Sequence, residues 1–209
     1  MFDAEQWRVQ GRLQGSAPGR GTTVFIDAPF GAAVLRRYLR GGWAAKFSRE
    51  HYLYTGVAGS RPFREFELLR RMVEAGLNVP APLAALCEHR GLSCRGALLT
   101  RRIAPARPLV ERLADPALDW TRLGRELRVF HQTGVAHADL NARNILIHDD
   151  SGAAWLLDFD RSKFTPGSGV DGQANLARLR RSLDKTWPGQ SPALDDCWDK
   201  LRGGYRAGS

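Results

Sequence analysis

The chain has 209 residues, 43% hydrophobic and 25% charged, enough apolar material to bury a core as one domain or as two small packed lobes. Its apolar runs span only a few residues, against the roughly 20 that cross a bilayer, and "MFDAEQWRVQ" has no signal-peptide core; the expectation is a cytoplasmic globular protein without a spanning helix. Lys plus Arg number 31 against 22 for Asp plus Glu, a formal charge of +9 that points either to an anionic partner (nucleic acid, nucleotide or acidic lipid) or to a solubilising surface.

Taken in order, "RLQGSAPGRGTTVFIDAPFGAAVLRRYL" alternates β-branched and aromatic residues between Gly and Pro, and predicts two or three short antiparallel strands. From Ser60 the period changes. Phe63, Phe66, Leu69 and Val73 fall three or four apart, with Ser60 as cap and Gly76 as stop, predicting a long helix. "PLAALCEHRGLSCRGALLTRRI" predicts a hairpin turning at His89 to Leu92. Asp119 can cap a helix with Trp120, Leu123, Leu127 and Phe130 on its apolar face, ended by Gly134. "ILIH", a turn at "DDSG" and the strand "AAWLL" lead to "DFD", and Leu176, Leu179 and Leu183 at helical spacing make the remainder helical. Strands first and helices later give an α+β chain with an N-terminal antiparallel lobe carrying one long helix and a small, mainly helical C-terminal lobe. The boundary is expected near residue 103, with a nucleotide-binding lobe over 1–103 and a catalytic lobe over 104–209. Cys87, Cys94 and Cys197 are odd in number and without metal-site spacing, so they are expected to be reduced and structural.

Between the capped helix and "ILIH" stands "VAHADLNARNILI". His137, Asp139 and Asn144 match H-x-D-x-x-x-x-N, and two strands later comes "DFD" with Asp158, the order of a phosphotransferase catalytic loop and its metal-binding aspartate. Phosphoryl transfer requires a carboxylate beside the acceptor hydroxyl, a role that suits Asp139. Mg²⁺ on the phosphates of ATP requires hard oxygen ligands, which Asn144 and Asp158 can supply. His137 is read as a residue that locks the loop. Asp139 and Asn144 also suit an ordinary turn.

In the first lobe, Gly19, Gly21 and Thr22 of "PGRGTT" can cover phosphates with backbone N–H groups. The lysine usual on the third strand is absent. Arg36 stands there and can pair with phosphate and with a helix carboxylate, for which Glu65 is the candidate. Glu65 equally suits a solvated helix face, as does Glu67 beside it.

From about Gly19 to Trp187 the chain resembles the 3-deoxy-D-manno-octulosonic acid (Kdo) kinases, members of the lipopolysaccharide kinases of Gram-negative bacteria, which have a protein-kinase-like two-lobed fold. The residues that carry the likeness are "GRGTT", "VLRRYLRGGWAAKFSREHYLYTG", "RPFREFELLRRMVEAGLNVPAPLAA", "ALLTRRI", "GVAHADLNARNILI" and "LLDFDRS". The resemblance implies ATP- and Mg²⁺-dependent phosphorylation of the 4-hydroxyl of Kdo in a Kdo-lipid A precursor, Kdo-lipid IVA, during lipopolysaccharide core biosynthesis. It makes Asp139 the base, and Asn144 and Asp158 the metal ligands. It also implies a peripheral protein on the cytoplasmic side of the bacterial inner membrane, bound to its anionic surface, with no nucleic-acid partner. Among the arginines at 36, 37, 40, 61, 64, 70 and 71, Arg37, Arg40 and those around the first long helix are the candidates for that surface, since Arg36 can be committed to ATP.

Other readings share single features. A protein kinase usually has lysine where Asn141 stands, and carries an activation segment closed by A-P-E, which does not follow Asp158. An aminoglycoside- or choline-type kinase takes cationic acceptors and should be rich in carboxylates rather than arginines. A catalytically inactive scaffold has no need for Asp139, Asn144 and Asp158 together.

Overall fold

A computed structural model describes residues 1–17, 23–38, 52–53, 59–90, 93–189 and 193–207, and only the backbone of 52, 53, 89, 90, 93 and 94. The chain divides into two compact units, one formed by Met1–Arg71 and Pro80–Arg102, the other by Met72–Val79 and Ile103–Ser209.

The first unit is built on an antiparallel sheet. β1 (Leu13–Ala17), β2 (Thr23–Ala28) and β3 (Gly31–Tyr38) form a meander. The β2–β3 turn closes at Gly31, whose φ of 105° favours glycine. β3 pairs with β6 (Ser93–Arg101), which also pairs with β4 (Tyr52–Leu53) and, along its whole length, with β5 (Pro82–Arg90). Alternation sorts the faces. Val24, Ile26, Ala28, Ala33, Leu35, Ala97 and Leu99 point to one side and pack with Trp7. Trp7 belongs to α1 (Ala4–Val9), a helix that the sequence reading does not anticipate because it is too short to show a period. Asp3 caps it by accepting the Glu5 N–H at 2.9 Å.

α2 (Arg61–Glu74) follows Ser60 and stops before Gly76, as its spacing predicts. Its buried face is Pro62, Glu65, Leu69 and Met72, not the face containing Val73, which is 40% exposed while Met72 is fully enclosed. With Glu65 inside, 3.6 residues per turn bring residue 72 back to the same side and carry 73 away from it.

The second unit is mainly helical. α3 (Trp120–Thr133) is capped by Asp119, whose carboxylate accepts the Arg122 N–H, and ends at Gly134 with φ 108°. Trp120, Leu123, Leu127 and Phe130 are buried, as the sequence predicts. β7 (Ala106–Pro108), β9 (Ile145–His148) and β10 (Ala154–Leu156) form one small sheet, and β8 (Val135–Ala136) pairs with β11 (Lys163–Phe164). α4 (Gln173–Thr186) buries Leu176, Leu179 and Leu183, and α5 (Leu194–Ala207) packs on α3. Cys87 and Cys197 are free thiols, as expected. The α+β architecture is the one the order of elements predicts.

α3 and α5 meet backbone to backbone. A Cβ on Gly204 would stand 1.9 Å from the Thr121 carbonyl oxygen, and one on Gly124 would stand 2.0 Å from that of Leu201. Both distances lie inside contact with rigid backbone, so the helices must separate to admit a methyl group. Gly204→Ala is therefore expected to destabilise the protein by about 1–3 kcal/mol, although alanine alone favours a helix by about 1 kcal/mol. Urea denaturation checks this, and an unchanged or raised midpoint would contradict the close contact.

Candidate active site

The two polar stretches singled out by the sequence, 137–144 and 157–162, run side by side in the second unit. β8 and β11 pair at one end of them and β9 and β10 at the other. Cross-links fill the interval. The Leu157 N–H donates to the Asn144 carbonyl at 2.8 Å, extending the β9–β10 ladder by one step, so that Leu157 stands opposite Asn144 and Asp158 follows one residue beyond. The Ala138 N–H donates to Ser162 Oγ at 3.0 Å. Within the loop, Leu140, Ala142 and Ile145 are buried while Asp139 and Arg143 are exposed. Apolar anchors thus drive the polar residues outward.

His137 locks the two stretches together, as expected. Its Nδ1 accepts the Asp139 N–H at 3.1 Å, which leaves the proton on Nε2 to be donated to the Leu157 carbonyl at 2.9 Å. The ring packs on Phe159 at 4.9 Å between centroids. Burial holds this imidazole below the usual histidine range, so it is neutral at pH 7.

Asp139 projects outward with its backbone fixed. Its carbonyl accepts from Asn144 Nδ2 at 2.9 Å and from Asn141 Nδ2 at 3.1 Å, and Asn141 Oδ1 in turn accepts the N–H groups of Arg143 and Asn144. Asn141 Nδ2 also reaches Asp139 Oδ2 at 3.2 Å, and Arg178 Nη1 reaches Oδ1 at 3.1 Å. Because the Asn144 nitrogen is committed to Asp139, its amide oxygen is the atom left to face a ligand. Asp158 is exposed and has φ 62°, a left-handed conformation that aspartate tolerates better than most residues. An amide oxygen beside a carboxylate is a hard-oxygen pair of the kind Mg²⁺ accepts, with water and phosphate completing its shell. Among the described residues no group of three or more His, Cys, Asp and Glu gathers as a metal cage.

α4 holds this loop along one face. Asn175, Arg178 and Ser182, at i, i+3 and i+7, bond in turn to residues 137, 139 and 142. Asn175 takes both backbone groups of His137, accepting its N–H on Oδ1 at 3.1 Å and donating Nδ2 to its carbonyl at 2.6 Å. The same Oδ1 meets His131 Nε2 at 3.1 Å, so His131 carries its proton there and accepts the Tyr205 hydroxyl on Nδ1 at 2.7 Å. Gly172 begins α4 because a Cβ there would stand 2.1 Å from the Tyr205 hydroxyl. The sequence reading takes only the leucine stripe of α4; the complementary polar stripe was visible in "NLARLRRS", but nothing local tells what it bonds.

In the first unit, Arg36 and Glu65 form an ion pair, and the Tyr38 hydroxyl donates to Glu65 Oε2 at 2.6 Å while accepting from Arg36 at 3.0 Å. Glu65 is buried, so the reading of it as a solvated helix-face charge does not hold. Burial, then the Glu65 charge, push the Tyr38 hydroxyl well above its ordinary value. Gly19, Gly21 and Thr22 lie outside the described residues.

A strand-rich unit with an ion-paired third strand, and a helical unit carrying Asp139 and Asn144 on one fixed stretch and Asp158 on the stretch cross-linked to it, define the class: a phosphotransferase of protein-kinase-like fold. The sequence model of the lipopolysaccharide kinase (Kdo/WaaP) family matches residues 4–205, and the chain belongs to that family. It is 46% identical over 187 residues to the 3-deoxy-D-manno-octulosonic acid kinase of Stenotrophomonas maltophilia (strain R551-3), covering 88% of this chain and 74% of that protein. The kinase of the same name from Vibrio vulnificus (strain YJ016) is 42% identical over 188 residues, 88% of this chain and 79% of its own. That from Xanthomonas oryzae pv. oryzae (strain PXO99A) is 40% identical over 208 residues, covering 98% and 83%. Among solved structures, WaaP in complex with acyl carrier protein matches the fold with a TM-score of 0.59 at 16% identity, covering 97% of this chain and 85% of that one.

The two buried imidazoles make stability depend on pH. Burial lowers the values of both His131 and His137, so below the unfolded value of about 6.5 the unfolded chain binds protons that the folded one refuses. Their contribution is complete above that value and declines as pH falls through it, by up to about 1.4 kcal/mol per pH unit for each group. Urea denaturation between pH 7.5 and 5.5 should show falling stability, and a flat profile would contradict neutral, buried imidazoles.

Proposed function

We propose that the protein transfers the γ-phosphoryl group of ATP to the 4-hydroxyl of Kdo in Kdo-lipid A precursor, Kdo-lipid IVA, a step of lipopolysaccharide core biosynthesis. The use of ATP follows from membership of the kinase family. The observation that carries the reading is Asp139, an exposed carboxylate on a loop whose backbone is fixed from both sides and bonded to Asn144, with Asp158 on the adjoining stretch that pairs through Leu157 with Asn144. Asp139 orients the hydroxyl and receives its proton. The oxygen–phosphorus bond to O4 forms as the bond from the γ-phosphorus to the bridging oxygen breaks, and ADP leaves. Asn144 and Asp158 would hold Mg²⁺, which when bound supplies positive charge to the phosphate oxygens. In the first unit, the Arg36 guanidinium, oriented by Glu65 and Tyr38, takes the part of the missing lysine toward phosphate. The relatives' shared name supports the acceptor.

Incubation with ATP, Mg²⁺ and Kdo-lipid IVA should add one phosphate to the acceptor by mass spectrometry, and no addition would refute the reading. Asp139→Asn should slow transfer by about 10²–10⁴ while ATP binding survives. Asp158→Ala should weaken Mg²⁺-dependent ATP binding as well. Equal ATP affinity in the wild type and Asp158→Ala, by calorimetry in Mg²⁺, would remove Asp158 from the metal.

The same reading places the protein peripherally on the anionic cytoplasmic face of the inner membrane. No helix among the described residues is long and apolar enough to cross a membrane. Of the arginines expected to meet lipid, Arg37 is occupied, reaching the Phe2 carbonyl at 3.2 Å and the Asp3 carboxylate at 3.9 Å, and Arg70 pairs with Glu67. Arg40 lies outside the described residues. Of the candidates on α2, Arg64 is exposed and would contribute about 1 kcal/mol at an acidic surface. Co-sedimentation with anionic vesicles should fall with added salt, as a Debye length near ~8 Å at physiological ionic strength requires, and should fall further in Arg64→Ser. Binding equal to that on neutral vesicles and insensitive to salt would refute membrane attraction by charge.

A further inference from the structure

Asn175, Arg178 and Ser182 share one face of α4, but their contacts differ in kind. Asn175 and Ser182 bond backbone groups of the loop, as residues that shape it must. Arg178 bonds the Asp139 carboxylate itself. The pair is open to water, with the Arg178 side chain 47% exposed and that of Asp139 58% exposed. Among the described residues Arg178 has no partner besides Asp139 Oδ1, and a guanidinium has five N–H donors.

This arrangement is awkward for a base that waits alone. Arg178 holds Oδ1 and Asn141 already bonds Oδ2, so an acceptor hydroxyl meets a carboxylate with both oxygens engaged. An anion on the acceptor removes the difficulty, because it can take the guanidinium and free Oδ1. Exposed ion pairs are weak, and an arginine fork fits a carboxylate through two parallel hydrogen bonds, so the exchange costs little and gains geometry. On the reading given above, the acceptor has such a group: Kdo carries its carboxylate on C2, one ring carbon removed from C4. A hydroxyl bonded to Asp139 brings that part of the ring within reach of a guanidinium already touching the same aspartate.

We propose that Arg178 is a specificity-determining residue that binds the carboxylate of the acceptor sugar and, by leaving Asp139 to do so, releases Oδ1 for the acceptor hydroxyl. The inference rests on the Kdo kinase reading. It makes the enzyme selective for acidic sugars at the reacting ring itself, independently of the lipid that carries the sugar.

The test pairs a change in the protein with a change in the acceptor. The probes are a Kdo-terminated lipid A precursor and its C1 methyl ester, which removes the negative charge and keeps the 4-hydroxyl. The wild type should prefer the acid over the ester by about 10- to 100-fold in kcat/KM, the usual range for a hydrogen bond to a charged group. Arg178→Ala should raise KM for the acid and abolish that preference, treating the two alike. Arg178→Lys should keep part of it, since the charge remains and the fork is lost. Arg181→Ala, which removes an exposed charge one turn further along α4, should retain the full preference. Wild-type-like discrimination in Arg178→Ala, with measurable transfer, would overturn the assignment and leave the function standing. Failure of the wild type to phosphorylate the acid would instead overturn the function, and this inference with it.

Discussion

The amide of Asn175 bonds the backbone of His137 as a neighbouring strand would, taking its N–H and giving to its carbonyl. The loop of Asp139 leaves β8 at this residue and has no ladder of its own until β9, so the amide stands in for a missing strand. Its position is set by a relay through three helices. Close contact of Gly124 and Gly204 brings α5 onto α3. Tyr205 on α5 can then fix His131 on α3, which meets the oxygen of Asn175 on α4. A methyl group at Gly172 would block the start of α4. The loop that carries Asp139 is thereby tied to the packing of the helical unit.

The first unit rests on a similar economy of charge. Burying a carboxylate without a partner is costly, and Glu65 is buried. Arg36 and Tyr38, alternate residues on one face of β3, supply a cation and a hydroxyl to the same carboxylate oxygen. Replacing only one member would strand the others, so the group acts as a single fitting between β3 and α2. Arginine in place of lysine suits it, because a planar fork can serve Glu65 and Tyr38 and still present donors elsewhere.

Features with local chemical causes were legible in the sequence. Asp119 as cap, Gly134 as stop and the stripe from Trp120 to Phe130 defined α3 because each acts within a few residues. The candidate loop from His137 to Asn144 was legible because its spacing is itself the constraint. What escaped was non-local. The spacing put Val73 on the apolar face of α2, but Arg36, the partner of Glu65 29 residues away in the chain, turns the helix so that Met72 is enclosed instead. The two-residue strands β8 and β11 carry too few positions for a period, and α1 is hardly longer than one turn. The leucine stripe of α4 announced a helix, but its polar stripe had no readable meaning, since Asn175, Arg178 and Ser182 bond residues some 40 positions earlier.

The loop also separates what must be rigid from what must move. Two side-chain amides converge on the Asp139 carbonyl, and the Asp139 N–H is taken by His137, so the backbone of this residue has little freedom. Its carboxylate, by contrast, is held only by exposed contacts that water or a substrate can replace. For the base role proposed for Asp139, preorganisation requires that the group lose its freedom before the substrate arrives, while its carboxylate must still be able to exchange partners. Fixing the backbone strongly and the carboxylate weakly would meet both demands of the proposed role, because the Asp139 side chain can rotate away from its exposed contacts while its backbone stays in place.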